Sequence, residues 1–154
     1  MRDYYYYKIG VSAVVKTQRF MAATWEIKNL HAQIRIEHYP HKDFFYIKWC
    51  GHINSEDTIA VAKKYLELQQ SFHCPKILND KSDVTGDWAE ANDWLEYEWL
   101  PLAVAAGLRY FSMVVSRDLH DLAPAQDLQK RFSPDCEVKL FRDLTQAKEW
   151  LESV

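Results

Sequence analysis

The residues of this chain with the most chemical potential crowd into one stretch, Lys76 to Gly107, which reads KILNDKSDVTGDWAEANDWLEYEWLPLAVAAG. Asp80, Asp83, Asp87, Glu90 and Asp93 make the densest run of carboxylates in the sequence. Such a run could ligate a divalent cation or act as a general acid and base. Its spacing is not that of an EF-hand loop, and carboxylates at the start of a helix serve the helix dipole without any ligand. The second role is the expected one for the run as a whole. Asp80 stands apart. It ends a short strand, Lys76 to Asp80, expected to lie near the sheet centre, and open parallel sheets place ligands at the C-terminal edge of their strands. The strand is expected to break at Asn79-Asp80 into a polar turn that closes near Gly86. Asp80, Ser82, Asp83 and Thr85 are therefore the candidate ligand or phosphorylation turn, with Lys81 as the opposing cation.

The same stretch carries a second candidate. Trp94, Tyr97, Pro101 and Val104 form an apolar patch on the following helix, turned away from its core stripe. A solvated helix face does not normally carry such residues, so the patch suits an interaction surface, a ligand groove or packing against residues 1–30. Other chemistry is sparse. His38 and His41 flank a hairpin turn and read as a solvated pair. Cys50, Cys74 and Cys136 are odd in number, lack CxxC spacing and read as reduced packing residues. There is no GxSxG, HExxH, P-loop or GxGxxG pattern, so no catalytic residue, metal or cofactor is expected and the chain is not read as an enzyme.

Around these candidates lies a globular composition. The chain has 154 residues, 48% of them apolar and 27% charged, enough for one domain with a real core. A net charge of -3 argues against nucleic acid as a partner. No apolar run approaches the roughly 20 residues that span a bilayer, so no stable membrane insertion is expected. The apolar run Ile9 to Val15 is too short for a signal peptide and is followed by Lys16 and Arg19, which leaves a cytoplasmic location.

The elements that must position the candidates follow from periodicity. Residues 1–30 read as an N-terminal arm or an added hairpin, with Met21 as an alternative start. Residues 31–154 read as the domain proper. Ala32, Ile34, Ile36 and His38 alternate with polar residues, and Phe45, Ile47 and Trp49 do the same, giving an antiparallel hairpin. Asn54 or Ser55 caps a helix whose buried face runs from Thr58 to Phe72. In the long helix Trp88, Ala91, Leu95, Trp99, Leu102 and Ala106 form the core stripe, and Pro101 predicts a kink. A strand over Arg109 to Ser116, a helix over Leu122 to Phe132, a strand over Cys136 to Phe141 and a helix capped by Asp143 complete the order. The fold class is α/β: a single-domain mixed sheet with an antiparallel hairpin at one edge, right-handed crossovers and about four helices.

This order, with FFYIKWCG, KILNDKS, DWLEYEWLPLAVAAG, RYFSMVVS and LFRDLTQAKEWL over residues 31–152, resembles the STAS domain, and most closely an uncharacterised bacterial branch of SpoIIAA-like proteins. The resemblance implies regulation by protein contact in a self-associating, non-enzymatic module, a homodimer whose other protein partner is unknown. In the anti-sigma factor antagonists of this family, a Ser at the start of the helix after the third strand is phosphorylated. Here the DSSG-like motif is replaced by DKSDVTGDW, where Ser82 and Thr85 are the hydroxyls. Through the related SEC14 fold the resemblance also implies an alternative, a small-molecule or lipid-binding domain.

Overall fold

A computed structural model describes residues 4–14 and 20–154, with side chains for residues 4–6 and from 23 onward. The segment 15–19, with the Lys16 and Arg19 used above, lies outside the described residues. Seven strands form one sheet: β1 (Tyr5–Val14), β2 (Phe20–Lys28), β3 (Ala32–Tyr39), β4 (Phe44–His52), β5 (Lys76–Thr85), β6 (Tyr110–Val114) and β7 (Glu137–Phe141). Their order across the sheet is their order in the chain. Strands β1 to β4 pair antiparallel, and β4 to β7 pair parallel. The fold is thus the mixed α/β sheet expected, with one change. Strands β1 and β2 extend the sheet beyond β3, so the β3–β4 hairpin is interior and the antiparallel half has four strands.

Because each crossover from β4 onward steps the same way, right-handed connections put the intervening helices on one face. These are α1 (Ser55–Phe72), the irregular α2 (residues 89–105) and α3 (Leu119–Arg131). Their core joins Ile34, Phe45, Trp49, Tyr65, Trp99 and Met113. The last helix, α4 (Leu144–Ser153), returns to the opposite face, where Ala147 and Leu151 cover Phe44, Leu78 and Val114. Asn54 is the cap of α1: its Oδ1 accepts from the Asp57 N–H at 3.0 Å while Asp57 Oδ2 accepts from the Asn54 N–H at 2.9 Å. Asp57 also accepts from Tyr4 Oη and Asn29 Nδ2, both at 2.9 Å, and so ties the start of the chain to α1.

Three local expectations are corrected. First, Asp80, Ser82, Asp83 and Thr85 lie on a strand and not on a turn. β5 runs unbroken to Thr85, because β4 is long enough to keep pairing with it through a bulge at Lys48–Cys50. Second, α2 is a 3-10 turn at Ala89–Ala91, a short α segment at Asn92–Trp94, a π turn at Leu95–Trp99 and an α segment at Leu100–Ala105. Pro101 has no N–H and its ring crowds the carbonyl four residues back, so the ladder widens just before it. The Leu100 N–H bonds Leu95 O, five residues away. The wider turn rotates the last segment of the helix: Leu100 and Ala103 face inward, and Leu102, expected in the core, turns out. Third, His38 is buried, its ring tilted against Phe45 and Phe72 with centroids 4.8 Å and 4.3 Å away, and burial lowers its pKa against the opposing pull of Asp43. Phe72, expected on a buried helix face, is partly exposed.

Gly86 ends β5 at φ +105, and a Cβ there would lie 2.0 Å from Ile53 O, a backbone atom of a residue whose N–H donates to Thr85 O at 2.9 Å. Both the dihedral and the space require glycine. Gly86→Ala is expected to lower the unfolding free energy by about 2 kcal/mol or more, read from urea midpoints at constant m-value.

Candidate functional site

The candidate site is the C-terminal end of β5 and its neighbours. Successive strand residues face opposite sides, so Asp80 and Ser82 share one face and Ile77, Asn79 and Lys81 share the other. The two faces carry different chemistry.

On the first face Asp80 is 1% exposed and its carboxylate is fully engaged. Oδ2 accepts from Tyr46 Oη at 2.7 Å and Lys48 Nζ at 3.1 Å. Oδ1 accepts from the Ser82 N–H at 3.0 Å and the Ser82 hydroxyl at 2.6 Å. Lys48 Nζ also donates to Ser82 Oγ at 2.9 Å and lies 2.7 Å from Asp83. Burial opposes ionisation of Asp80, but the bonds from Ser82, Tyr46 and Lys48 outweigh it and hold the carboxyl below its ordinary range. Burial likewise works against the Lys48 charge, and Asp83 and Asp80 outweigh it, so its pKa rises. The phenol of Tyr46 is raised by burial and by Asp80. Ser82 is exposed, its hydroxyl set between a carboxylate that accepts its proton and an ammonium that approaches its oxygen.

The expected residues are therefore only partly assembled. Asp80, Ser82 and Asp83 come together, while Thr85 sits apart with His52 Nδ1 at 2.9 Å. Tyr46 and Lys48 were missed, although their polar positions in β4, two residues apart, place them on the outward face. The opposing cation is Lys48, not Lys81. Asp80 and Asp83 also leave the helix-dipole role to Glu90 and Asp93 in the first turns of α2.

Lys81 is instead buried on the helix side. Its Nζ sits 3.6 Å from the Trp88 ring centroid and 4.7 Å from that of Trp49, with Asp121 Oδ1 at 3.7 Å. Asp121, 0% exposed in the first turn of α3, accepts from Trp88 Nε1 and from the Ser116 N–H, each at 2.9 Å. Burial lowers the Lys81 pKa to about 8, with Asp121 opposing.

The second candidate divides. Tyr97 and Pro101 are exposed, joined by Leu102. Trp94 and Val104 are half-buried against the core, and Lys63 Nζ lies 5.8 Å from the Trp94 ring centroid. Burial pushes the thiols of Cys74 and Cys136 up to about 11 and about 12, far from reactive values. Among the described residues no three His, Cys, Asp or Glu side chains gather as a metal site, and no helix is long and apolar enough to cross a membrane. Compared with known proteins, the chain matches no family model, no curated protein and no solved structure.

Two titrations are expected. Asp80 has a depressed folded pKa, so its contribution is present above the ordinary carboxyl value of 3.8 and is lost as pH falls through the folded one. Asp80→Asn should cost about 1–3 kcal/mol at neutral pH, with the gap from wild type closing below about pH 4 in urea titrations. Lys81 also has a depressed folded pKa, but as a cation. Between about 8 and 10.5 the unfolded chain binds the extra proton, so stability from this residue rises with pH. The stability of wild type minus that of Lys81→Met should climb by on the order of 3 kcal/mol across that window.

Proposed function

We propose that this chain is a non-enzymatic protein-interaction module of the STAS, SpoIIAA-like kind, working in the cytoplasm, and that it pairs with a second copy of itself through the outward side of α2. The observation that carries this reading is the exposure of Tyr97 at 70% and of Leu102 at 50%, beside exposed Pro101. Clustered apolar side chains with a central aromatic are what an interface core requires. A charged rim lies alongside: Arg131 reaches Asp93 at 2.6 Å and Glu96 at 2.9 Å, both on α2. An apolar patch of this kind is self-complementary across a two-fold axis, because it needs no opposite charge on its partner.

The phosphorylation that the resemblance implies would fall on Ser82 and not on Thr85. Ser82 Oγ is exposed beside Lys48, and a phosphate there would compete with Asp80 for that ammonium. The SEC14-type lipid reading has less to support it. The cavity in the helix-side core is about 50 Å³, and the larger space of about 520 Å³ beside α1 is lined by Glu56, Lys63, Lys64 and Glu67 as well as Tyr4 and Tyr6, whereas ordinary ligand pockets are mostly apolar spaces of roughly 300–1,000 Å³.

Sedimentation equilibrium tests the pairing. The wild type is expected to dimerise, and Tyr97→Ser with Leu102→Ser to shift it to monomer by tenfold or more in Kd, with unchanged circular dichroism; roughly 1.4 kcal/mol per tenfold is well within two exposed apolar side chains. A wild type that stays monomeric across the accessible concentrations, or a double variant that pairs equally well, overturns the reading.

A further inference from the structure

The face of the sheet opposite α1 to α3 is roofed by a single helix among the described residues. That helix, α4, lies mainly over β5, β6 and β7, so the roof ends before the antiparallel half of the sheet begins. Where it ends, a cleft of about 250 Å³ opens between helix and sheet. Buried Phe44 and Leu78 line it from the sheet, with half-buried Tyr39 and Tyr46 beside them. The Tyr39 and Phe44 ring centroids are 5.4 Å apart. Leu144 and Lys148 line it from α4; four residues apart, they share one side of the helix. Lys42, in the turn between β3 and β4, completes the lining.

The polar groups of the cleft define what it can hold. Tyr46 Oη gives its proton to Asp80 at 2.7 Å, and Tyr39 Oη gives its own to Glu37, so neither phenol donates into the cleft. The donors that remain are ammonium protons. Lys42 reaches Glu152 at 3.0 Å, an exposed pair that uses one of its three N–H groups and contributes little. Lys148 has no hydrogen-bond or ion-pair partner among the described residues. Glu37 is balanced by Arg35 at 2.5 Å, and Asp80 by Lys48. Lys42 and Lys148 set against Glu152 leave one positive charge beside an apolar floor. The complement is a molecule with one negative charge, acceptors only and an apolar body, which is a monocarboxylate. Three aromatic side chains in the lining favour an aromatic body, and a volume below the ordinary range of roughly 300–1,000 Å³ restricts it to a single ring.

We infer that the cleft between α4 and the sheet is a binding site for a small aromatic monocarboxylate, a single ring on a short acidic chain. The ring lies against Phe44, Leu78 and Leu144, and the carboxylate accepts from Lys148 and from the free N–H groups of Lys42. Covering Leu144, which is 38% exposed, adds apolar burial that the protein alone leaves unmade. The ligand needs nothing from Asp80, Lys48 or Ser82, whose mutual bonds stay as they are. The inference goes beyond the pairing through α2 and is independent of it: α2 packs on the other face of the sheet, so either reading can fail while the other stands.

Titration of the 15N-labelled protein with 3-phenylpropionate at neutral pH and low salt, followed by amide chemical shifts, tests it. Saturable shifts are expected at residues 42–46, 78 and 144–148, with a Kd on the order of 1 mM for a ligand of this size. Lys148→Met keeps the length of the side chain and removes its charge at an exposed position, so the fold is retained; it should weaken binding about fivefold. The neutral 3-phenylpropanamide, which loses its attraction to both lysines, should bind about tenfold more weakly than the acid, and acetate, which has the charge without the ring, weaker still. Shifts that do not saturate by about 20 mM, or that centre outside the cleft, overturn the proposal. So does a Lys148→Met variant that binds like wild type, or acetate binding as tightly as 3-phenylpropionate.

Discussion

A lysine ammonium enclosed by two tryptophan faces and a buried carboxylate joins the parts of this fold that meet at one end of the sheet. Lys81 comes from β5, Trp49 from β4, Trp88 from the approach to α2 and Asp121 from the first turn of α3. A buried charge without partners is strongly unfavourable, so each contributor is constrained by the others. Asp121 extends the constraint through Trp88 Nε1 and the Ser116 N–H, which fixes where the chain leaves β6 and enters α3. The arrangement specifies geometry more than it adds stability, because hydrophobic residues of similar volume could fill the same space.

The same strand supports a second polar assembly on its reverse side, through the simple alternation of side chains. Asp80 gathers Tyr46, Lys48 and Ser82 where α4 and its partners Phe44, Leu78 and Val114 form the neighbouring apolar layer. Adjacent residues thus carry opposite charges into opposite layers. Each is satisfied by side chains from β4, at positions 46 and 48 on one face and 49 on the other. The parallel pairing of β4 with β5 is what sets these groups side by side.

Much of the architecture was legible in the sequence, because period-two and period-3.6 patterns report which face of an element is buried. The alternation of Ala32, Ile34 and Ile36, and the spacing of Val61, Tyr65 and Leu68, correspond to buried faces in the folded chain. The path of β5 was not legible. DKSD is composed like a turn, and only a neighbouring strand long enough to keep pairing makes it extended. Lys81 escaped for a related reason: charge implies solvent unless a partner far away in sequence is known, and Asp121 lies forty residues on. At Pro101 an irregularity of the helix was readable from residue type, but the change of helical phase was not, since it depends on which carbonyl the Leu100 N–H selects.

That widened turn is equivalent to one residue inserted into an otherwise ordinary helix. A homologous chain lacking one residue between positions 95 and 99 would close the turn to α geometry and keep Leu100 and Ala103 inward and Leu102 outward, as they are here. The extra residue is absorbed within one turn, so the length of this stretch can change by one codon without re-aiming the segments on either side.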